Sequence, residues 1–221
     1  VCSSDLDDPR YAHVVAFRER VGTVLERAAE VVSHLSADHV DAVKQVVRAL
    51  RTYLVPHSAH TDEVQGLSKS VGFFRTIGRR FAKQRRFPRI LWIRRAMLYH
   101  VTRQRLQSVH LAHTARDRAL MMQLERLCTS HYIPVRRLAQ SALESVFGMY
   151  RGTRWLCLPT LLEQLAPSAS DEQVKGALYV LGMKSFLRTC ARNPRFTRPV
   201  LMAMFRLQSR ARPSIQKLVR G

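Results

Sequence analysis

Two independent sequence features recur at the same interval in the second half of this chain, and that interval constrains the fold more than any other property. The blocks Ala119-Leu120-Met121-Met122-Gln123-Leu124, Pro159-Thr160-Leu161-Leu162-Glu163-Gln164-Leu165 and Pro199-Val200-Leu201-Met202-Ala203-Met204-Phe205 begin 40 residues apart. A second set, Val135-Arg136-Arg137-Leu138-Ala139, Val174-Lys175-Gly176-Ala177-Leu178 and Ile215-Gln216-Lys217-Leu218-Val219, begins at intervals of 39 and 41 residues. Each unit reads as one helix, a short turn, and a second helix that opens on a β-branched residue followed by a polar one. One such hairpin cannot bury its apolar face alone, whereas stacked neighbours bury it together.

Periods near 40 belong to HEAT and armadillo repeats. The expected fold class is therefore all-α, an α-solenoid of HEAT/armadillo-like helical hairpins, with about two and a half units over residues 114–221. No segment alternates apolar and polar residues over a useful length, so strands are not expected. Upstream, Asp8-Pro9 places a proline in the first turn of a helix carrying Val14, Phe17, Val21, Val24, Leu25, Ala28, Val32 and Leu35 on one face. Ser36 or Asp38 is the expected cap of a second helix, with Val40, Val43, Val47, Leu50 and Leu54, ended by Pro56. Residues 7–56 thus read as a helical hairpin. Residues 57–113 form a basic, Arg-rich helical segment, with 57–68 as a linker, one helix over about 71–83, a break at Phe87-Pro88 and another helix over about 89–109. Thr114 is expected to cap the next helix, and Asp171 and Glu172 to sit in the first turn of a later one.

The two ends carry separate expectations. The hexapeptide Val1-Cys2-Ser3-Ser4-Asp5-Leu6 is what a common sequencing-adapter stretch encodes in frame, so residues 1–6 are expected to be non-native. The last residues fall inside a helical pattern, and Leu218-Val219 supplies no polar cap. A solenoid end without such a cap is expected to be marginally stable in isolation.

Composition narrows function. The chain has 221 residues, 46% of them hydrophobic, enough for one or two domains with a sizeable core. Its longest apolar runs, such as Val200–Phe205 and Ala177–Leu181, fall far short of the roughly 18–20 residues that span a bilayer, so no membrane partner is expected. The 37 Lys and Arg outnumber the 16 Asp and Glu, for a net charge of +21, which suits phosphates, nucleic acid or an acidic protein. Cys2, Cys128, Cys157 and Cys190 show no paired spacing, which points to reduced thiols rather than a disulfide framework or zinc. His57/His60 and His110/His113 are each three apart but lack a third ligand, so no metal is expected. No nucleophile elbow, phosphate loop, dinucleotide fingerprint or zinc-protease motif is present, and no catalytic residue or required cofactor is assigned.

The most unusual stretch runs from Val64 to Arg116, with 13 basic residues and no Asp or Glu. Arg dominates over Lys, which suits bidentate gripping of phosphate or carboxylate. Its densest part, Arg79, Arg80, Lys83, Arg85, Arg86 and Arg89, is the candidate anion site. A solvated basic face is the plainer alternative. The interleaved aromatics Phe73, Phe74, Phe81, Phe87, Trp92 and Tyr99 are expected mainly in the helix core, because Phe74, Ile77 and Phe81 fall at helical spacing.

Several of these segments resemble one family. Gln173-Val174-Lys175-Gly176-Ala177-Leu178-Tyr179-Val180-Leu181 is similar to a segment of the large HEAT-repeat proteasome activators of animals and fungi. Val135-Arg136-Arg137-Leu138-Ala139-Gln140-Ser141-Ala142-Leu143 resembles a helix of the same proteins. Arg85-Arg86-Phe87-Pro88-Arg89, followed by Arg94-Arg95-Ala96, is similar to a basic stretch upstream of those repeats. The resemblance covers roughly residues 70–190. It implies a giant α-solenoid, of which this would be an internal piece, capping the 20S proteasome alpha ring without ATP, in nucleus and cytoplasm. It further implies acetylated histones as possible partners and inositol phosphates as ligands of basic openings. The family docks through a C-terminal tail with a penultimate tyrosine, whereas this chain ends Leu218-Val219-Arg220-Gly221 and would not open the gate alone. The alternative reading is a basic helical-repeat module that binds nucleic acid through phosphate contacts. A nuclear-transport adaptor fits less well, because such adaptors present acidic inner surfaces to basic cargo.

Overall fold

The computed structural model describes residues 9–35, 39–55, 61–80, 89–108, 114–150, 152–208 and 213–220. Among the described residues there are eleven helices and no strand. They are α1 (Pro9–Leu35), α2 (Val40–Leu54), α3 (Thr61–Arg80), α4 (Arg89–Ser108), α5 (Ala115–Leu127), α6 (Ile133–Met149), α7 (Thr153–Glu163), α8 (Asp171–Leu181), α9 (Lys184–Cys190), α10 (Pro194–Leu207) and α11 (Pro213–Arg220). The chain is all-α and solenoid-like, as the periodicity requires.

The helices stack in two layers. In one layer α1 packs on α5, α5 on α7 and α7 on α10. In the other α2 packs on α6, α6 on α8 and α8 on α11. Four hairpins, α1–α2, α5–α6, α7–α8 and α10–α11, therefore lie side by side. The short helix α9 joins the last two, and its Phe186 packs 5.8 Å from Phe147 of α6 and 4.9 Å from Phe196 of α10. One continuous core runs from Ala29 and Leu50 through Leu120, Leu143, Leu161 and Leu181 to Ile215. The first hairpin docks directly on α5–α6 although some sixty residues separate them in sequence, so α3–α4 is an insertion between two stacked units. Its buried residues Leu67, Leu91 and Val101 lie outside that core.

Local chemistry explains several helix starts. Thr114 and Asp117 form a reciprocal capping box at the start of α5, and Ser170 and Gln173 form another at α8. Asp171 and Glu172 do sit in the first turn of α8. Three readings need correction. The N-cap of α2 is His39, which makes no side-chain cap bond, while Ser36 and Asp38 lie outside the described residues. Residues 61–68 are the first turns of α3, not linker; Thr61-Asp62-Glu63 supplies polar residues suited to a helix start, which the polar composition disguised. On α1 Ala29 is buried and Val21, Leu25 and Val32 are partly buried against the core, whereas Val14, Phe17 and Val24 are exposed. The apolar face is thus narrower than the row of residues suggested, because α5 covers only one side of α1.

Scarce carboxylates hold adjacent hairpins together. Arg18 reaches Asp117 at 3.2 Å and lies 4.1 Å over the Tyr53 ring, and Arg116 pairs with Glu26 and, at 3.7 Å, with Glu19. One junction on, Arg136 of α6 pairs with Glu172 at 2.8 Å and donates to the Ser130 carbonyl. Gln140, one turn later, donates to the carbonyls of Cys128 and Gly176. Those two polar residues of the Val135–Leu143 segment grip α8. Along α2, Lys44 pairs with Asp41 at 2.9 Å, while Arg27 and Glu30 form no ion pair among the described residues.

Gly176 marks a close approach between backbones. A Cβ there would lie 2.8 Å from both the Cys128 carbonyl oxygen and Thr129 Cα, which are backbone atoms that cannot swing away. Glu125 is the opposite kind of exception. It is fully buried, both its carboxyl oxygens lack a hydrogen-bond partner among the described residues, and one period later the same position is the buried Leu165. Desolvation raises its pKa from an ordinary 4.5 to about 7, with Arg126 opposing and Glu163 reinforcing the shift.

Two outcomes follow from these positions. Gly176→Ala is expected to cost about 1–3 kcal/mol through overpacking at the α6–α8 junction, read from denaturant unfolding; a neutral result would mean the turn at Cys128–Thr129 yields freely. For Glu125, only the folded state keeps the proton between pH 4.5 and 7, so raising pH through that window removes stability. Glu125→Leu should therefore gain more stability at pH 8 than at pH 5, with a difference of up to about 3 kcal/mol. Parallel pH profiles of the parent and the variant would refute this.

Candidate functional site: an arginine-lined cleft

The inserted hairpin carries the site. α3 and α4 pack on each other and enclose a cleft of about 430 Å³, lined by Val71, Arg75 and Arg79 from α3 and Leu91, Trp92 and Arg95 from α4. Val71, Arg75 and Arg79 are spaced four apart, so one face of α3 brings an aliphatic residue and two guanidinium groups to the opening. From the other wall Arg95 stands 5.7 Å from the centre of the Trp92 ring, one turn away on the same helix. Trp92 keeps 58% of its surface exposed.

Three guanidinium groups on a cleft with no Asp or Glu anywhere between Val64 and Arg116 leave its positive potential without a nearby carboxylate from its own segment. Planar guanidinium forks bind phosphate or carboxylate oxygens in pairs, and the indole and aliphatic walls can flank the rest of a ligand. The described residues lining the cleft supply guanidinium donors, an indole and aliphatic groups, which is the chemistry of binding an anion.

The structure redistributes the candidate anion site. Arg79 lines the cleft. Arg89 is exposed at the start of α4 and does not line it. The side chain of Arg80, and Lys83, Arg85 and Arg86, lie outside the described residues. Arg75 and Arg95 were missed, because counting charge density along the chain favours the connection between helices, whereas a cleft collects residues four apart on one helix and their counterparts on the next. The four-residue step from Val71 to Arg75 to Arg79 was the available signal.

The aromatic residues also need correction. Phe73, Trp92 and Tyr99 are 61%, 58% and 69% exposed, not core; only Phe74 and Ile77 are partly buried, and Phe81 and Phe87 lie outside the described residues. Among the described residues no second layer covers the outer face of the inserted hairpin, so the helical spacing did not translate into burial.

Elsewhere, Cys128 and Cys157 are buried free thiols, and burial pushes both well above the usual thiol range, which suppresses the reactive thiolate. His57, His60, His110 and His113 lie outside the described residues, as does Cys2. Among the described residues no group of three or more His, Cys, Asp or Glu could hold a metal, and no helix is long and apolar enough to cross a membrane. A second acid-free stretch also escaped the sequence reading: residues 173–221 contain 11 Lys and Arg and no Asp or Glu.

No protein-family model matches the chain. Among curated relatives, it is 28% identical over 170 residues to the proteasome activator complex subunit 4 of Xenopus laevis, and 27% identical over 169 residues to subunit 4A of Danio rerio. It is 27% identical over 168 residues to proteasome activator complex subunit 4 of Homo sapiens. These alignments cover 74–75% of the chain and 9% of each relative. The chain thus spans about a tenth of the length of the curated relatives it matches. All of them bear the name of the family that the Val135–Leu143 and Gln173–Leu181 segments resemble, and that resemblance is borne out.

Proposed function

We propose that this chain, a relative of the proteasome activator complex subunit 4 proteins, is a non-catalytic scaffold segment of an ATP-independent activator that caps the 20S proteasome. The observation that carries the reading is the alignment over three quarters of the chain with proteins of that one name. The stacked hairpins support it, since an open array of helices offers extended surface and no enclosed reaction centre. In this reading the alpha ring of the 20S particle is the partner of the full-length gene product, acetylated histones are candidate clients, and nucleus and cytoplasm are its compartments.

The cleft of Arg75, Arg79 and Arg95 gives the basic segment a specific role, holding an inositol phosphate as a structural ligand. Three guanidinium groups converge there without a carboxylate from their own segment, which matches the clustered phosphates of such a ligand. A second reading, nucleic-acid binding, is favoured by one observation: Trp92 and Tyr99 are exposed among the arginines of α4, where a base could stack.

Three measurements separate these readings. The full-length gene product should co-migrate with 20S particles on native gels and raise peptide hydrolysis without ATP; absence of both would sink the activator reading. Calorimetric titration with inositol hexakisphosphate should show binding that the Arg75→Gln/Arg79→Gln/Arg95→Gln variant weakens by about a hundredfold. Equal heats for parent and variant would reject the cleft. Steep loss of DNA or RNA affinity with salt, in a protein that ignores 20S particles, would favour the second reading.

A further inference from the structure

The acid-free stretch 173–221 borders a second basic site, whose described lining residues all lie outside the inserted hairpin. A groove of about 630 Å³ opens where the end of α6, the start of α7 and the helix α9 meet. Lys184 and Arg188 stand one turn apart on α9, and Arg192 follows in the turn beyond its end. All three are exposed, and no carboxylate lies within ion-pair distance of any of them among the described residues. Arg154 completes the basic set from α7 and is held in place: it donates to the Phe147 carbonyl at 2.7 Å, with its guanidinium 5.5 Å from the Phe147 ring centre.

Two further features suit a main chain lying in this groove. The Ser185 hydroxyl oxygen is buried in the wall and has no hydrogen-bond partner among the described residues. Gly148, a poor helix former near the end of α6, has nothing within 4 Å of where its Cβ would stand, so the fold itself does not require glycine there. It keeps that wall low.

We propose that this groove binds an extended acidic segment of a partner protein, with carboxylates on alternate residues. The spacing carries the assignment. Side chains one helical turn apart stand about 6 Å from each other. Alternate residues of an extended chain are about 6.6 Å apart on the same side. A carboxylate on every second residue therefore meets Lys184, Arg188 and the neighbouring arginines in step, while the Ser185 hydroxyl takes one main-chain group. Glu144, the one carboxylate among the described residues lining the groove, borders the strip from the α6 side and repels acidic chains that stray from the basic row. Single-stranded nucleic acid is disfavoured because none of the described lining residues is aromatic and able to stack a base.

The test measures fluorescence anisotropy of a short labelled peptide that alternates Glu and Ser, titrated with the full-length gene product. Lys184→Gln/Arg188→Gln is expected to weaken binding about tenfold. The charge-matched control Arg118→Gln/Arg137→Gln, at exposed positions outside the groove, is expected to leave it within about twofold. Lys184→Arg/Arg188→Lys, which keeps both charges, should retain binding. Affinity unchanged in Lys184→Gln/Arg188→Gln, or lost equally in the control pair, would overturn the proposal. So would oligothymidylate binding more tightly than the peptide and being released by the same double substitution.

Discussion

Burial of apolar faces between neighbouring hairpins is the interaction on which the rest of this structure depends. Within the stacked array, Leu50, Leu120, Leu143, Leu161 and Leu181 are all fully buried because a further hairpin lies against each. The requirement is strong enough to reach across the insertion, bringing α1–α2 onto α5–α6 and leaving α3–α4 outside the core. Exclusion from the core explains the character of the inserted hairpin. It covers Leu67, Leu91 and Val101 between its own two helices, and it leaves Phe73, Trp92 and Tyr99 to solvent.

Charge follows the same logic. With so few carboxylates, their placement decides where positive potential survives. Glu19, Glu26 and Asp117 tie α1 to α5, and Glu172 ties α8 to α6. These pairs sit at junctions between hairpins, where partial burial strengthens them relative to fully exposed pairs. The two stretches without acidic residues, Val64–Arg116 and 173–221, are the ones that supply most of the basic side chains lining the two clefts. A strongly basic composition is thereby resolved into two particular places, one flanked by an indole and one flanked by a serine hydroxyl and a glycine.

Much of the fold was legible in the sequence because it depends on periodicity. Repeats at about 40 residues gave the hairpin units, and the cap Thr114 and the first-turn acid Asp171 marked helix starts where the expected side chains were present. Legibility failed where local composition and tertiary role diverge. Thr61–Ser68 is polar enough to read as linker but forms the first turns of a helix, and Val14, Phe17 and Val24 follow helical spacing yet face solvent because no neighbour among the described residues covers that side of α1. The site was half legible: an acid-free, arginine-rich stretch is a property of the chain, but the choice of Arg75, Arg79 and Arg95 is a property of two helices in contact.

The sequence by itself determined the helical class, the repeat length, the basic balance and the kinship with proteasome activator proteins, since each of these is written in residue type and spacing along one dimension. Only the tertiary structure decided that α3–α4 is an insertion, that Arg136 and Gln140 clamp α8, that Glu125 is sealed from water, and that Arg154 joins Lys184 and Arg188 in one groove. Those depend on which helix faces meet. That is settled by the summed burial of many side chains far apart in sequence, and not by any local pattern.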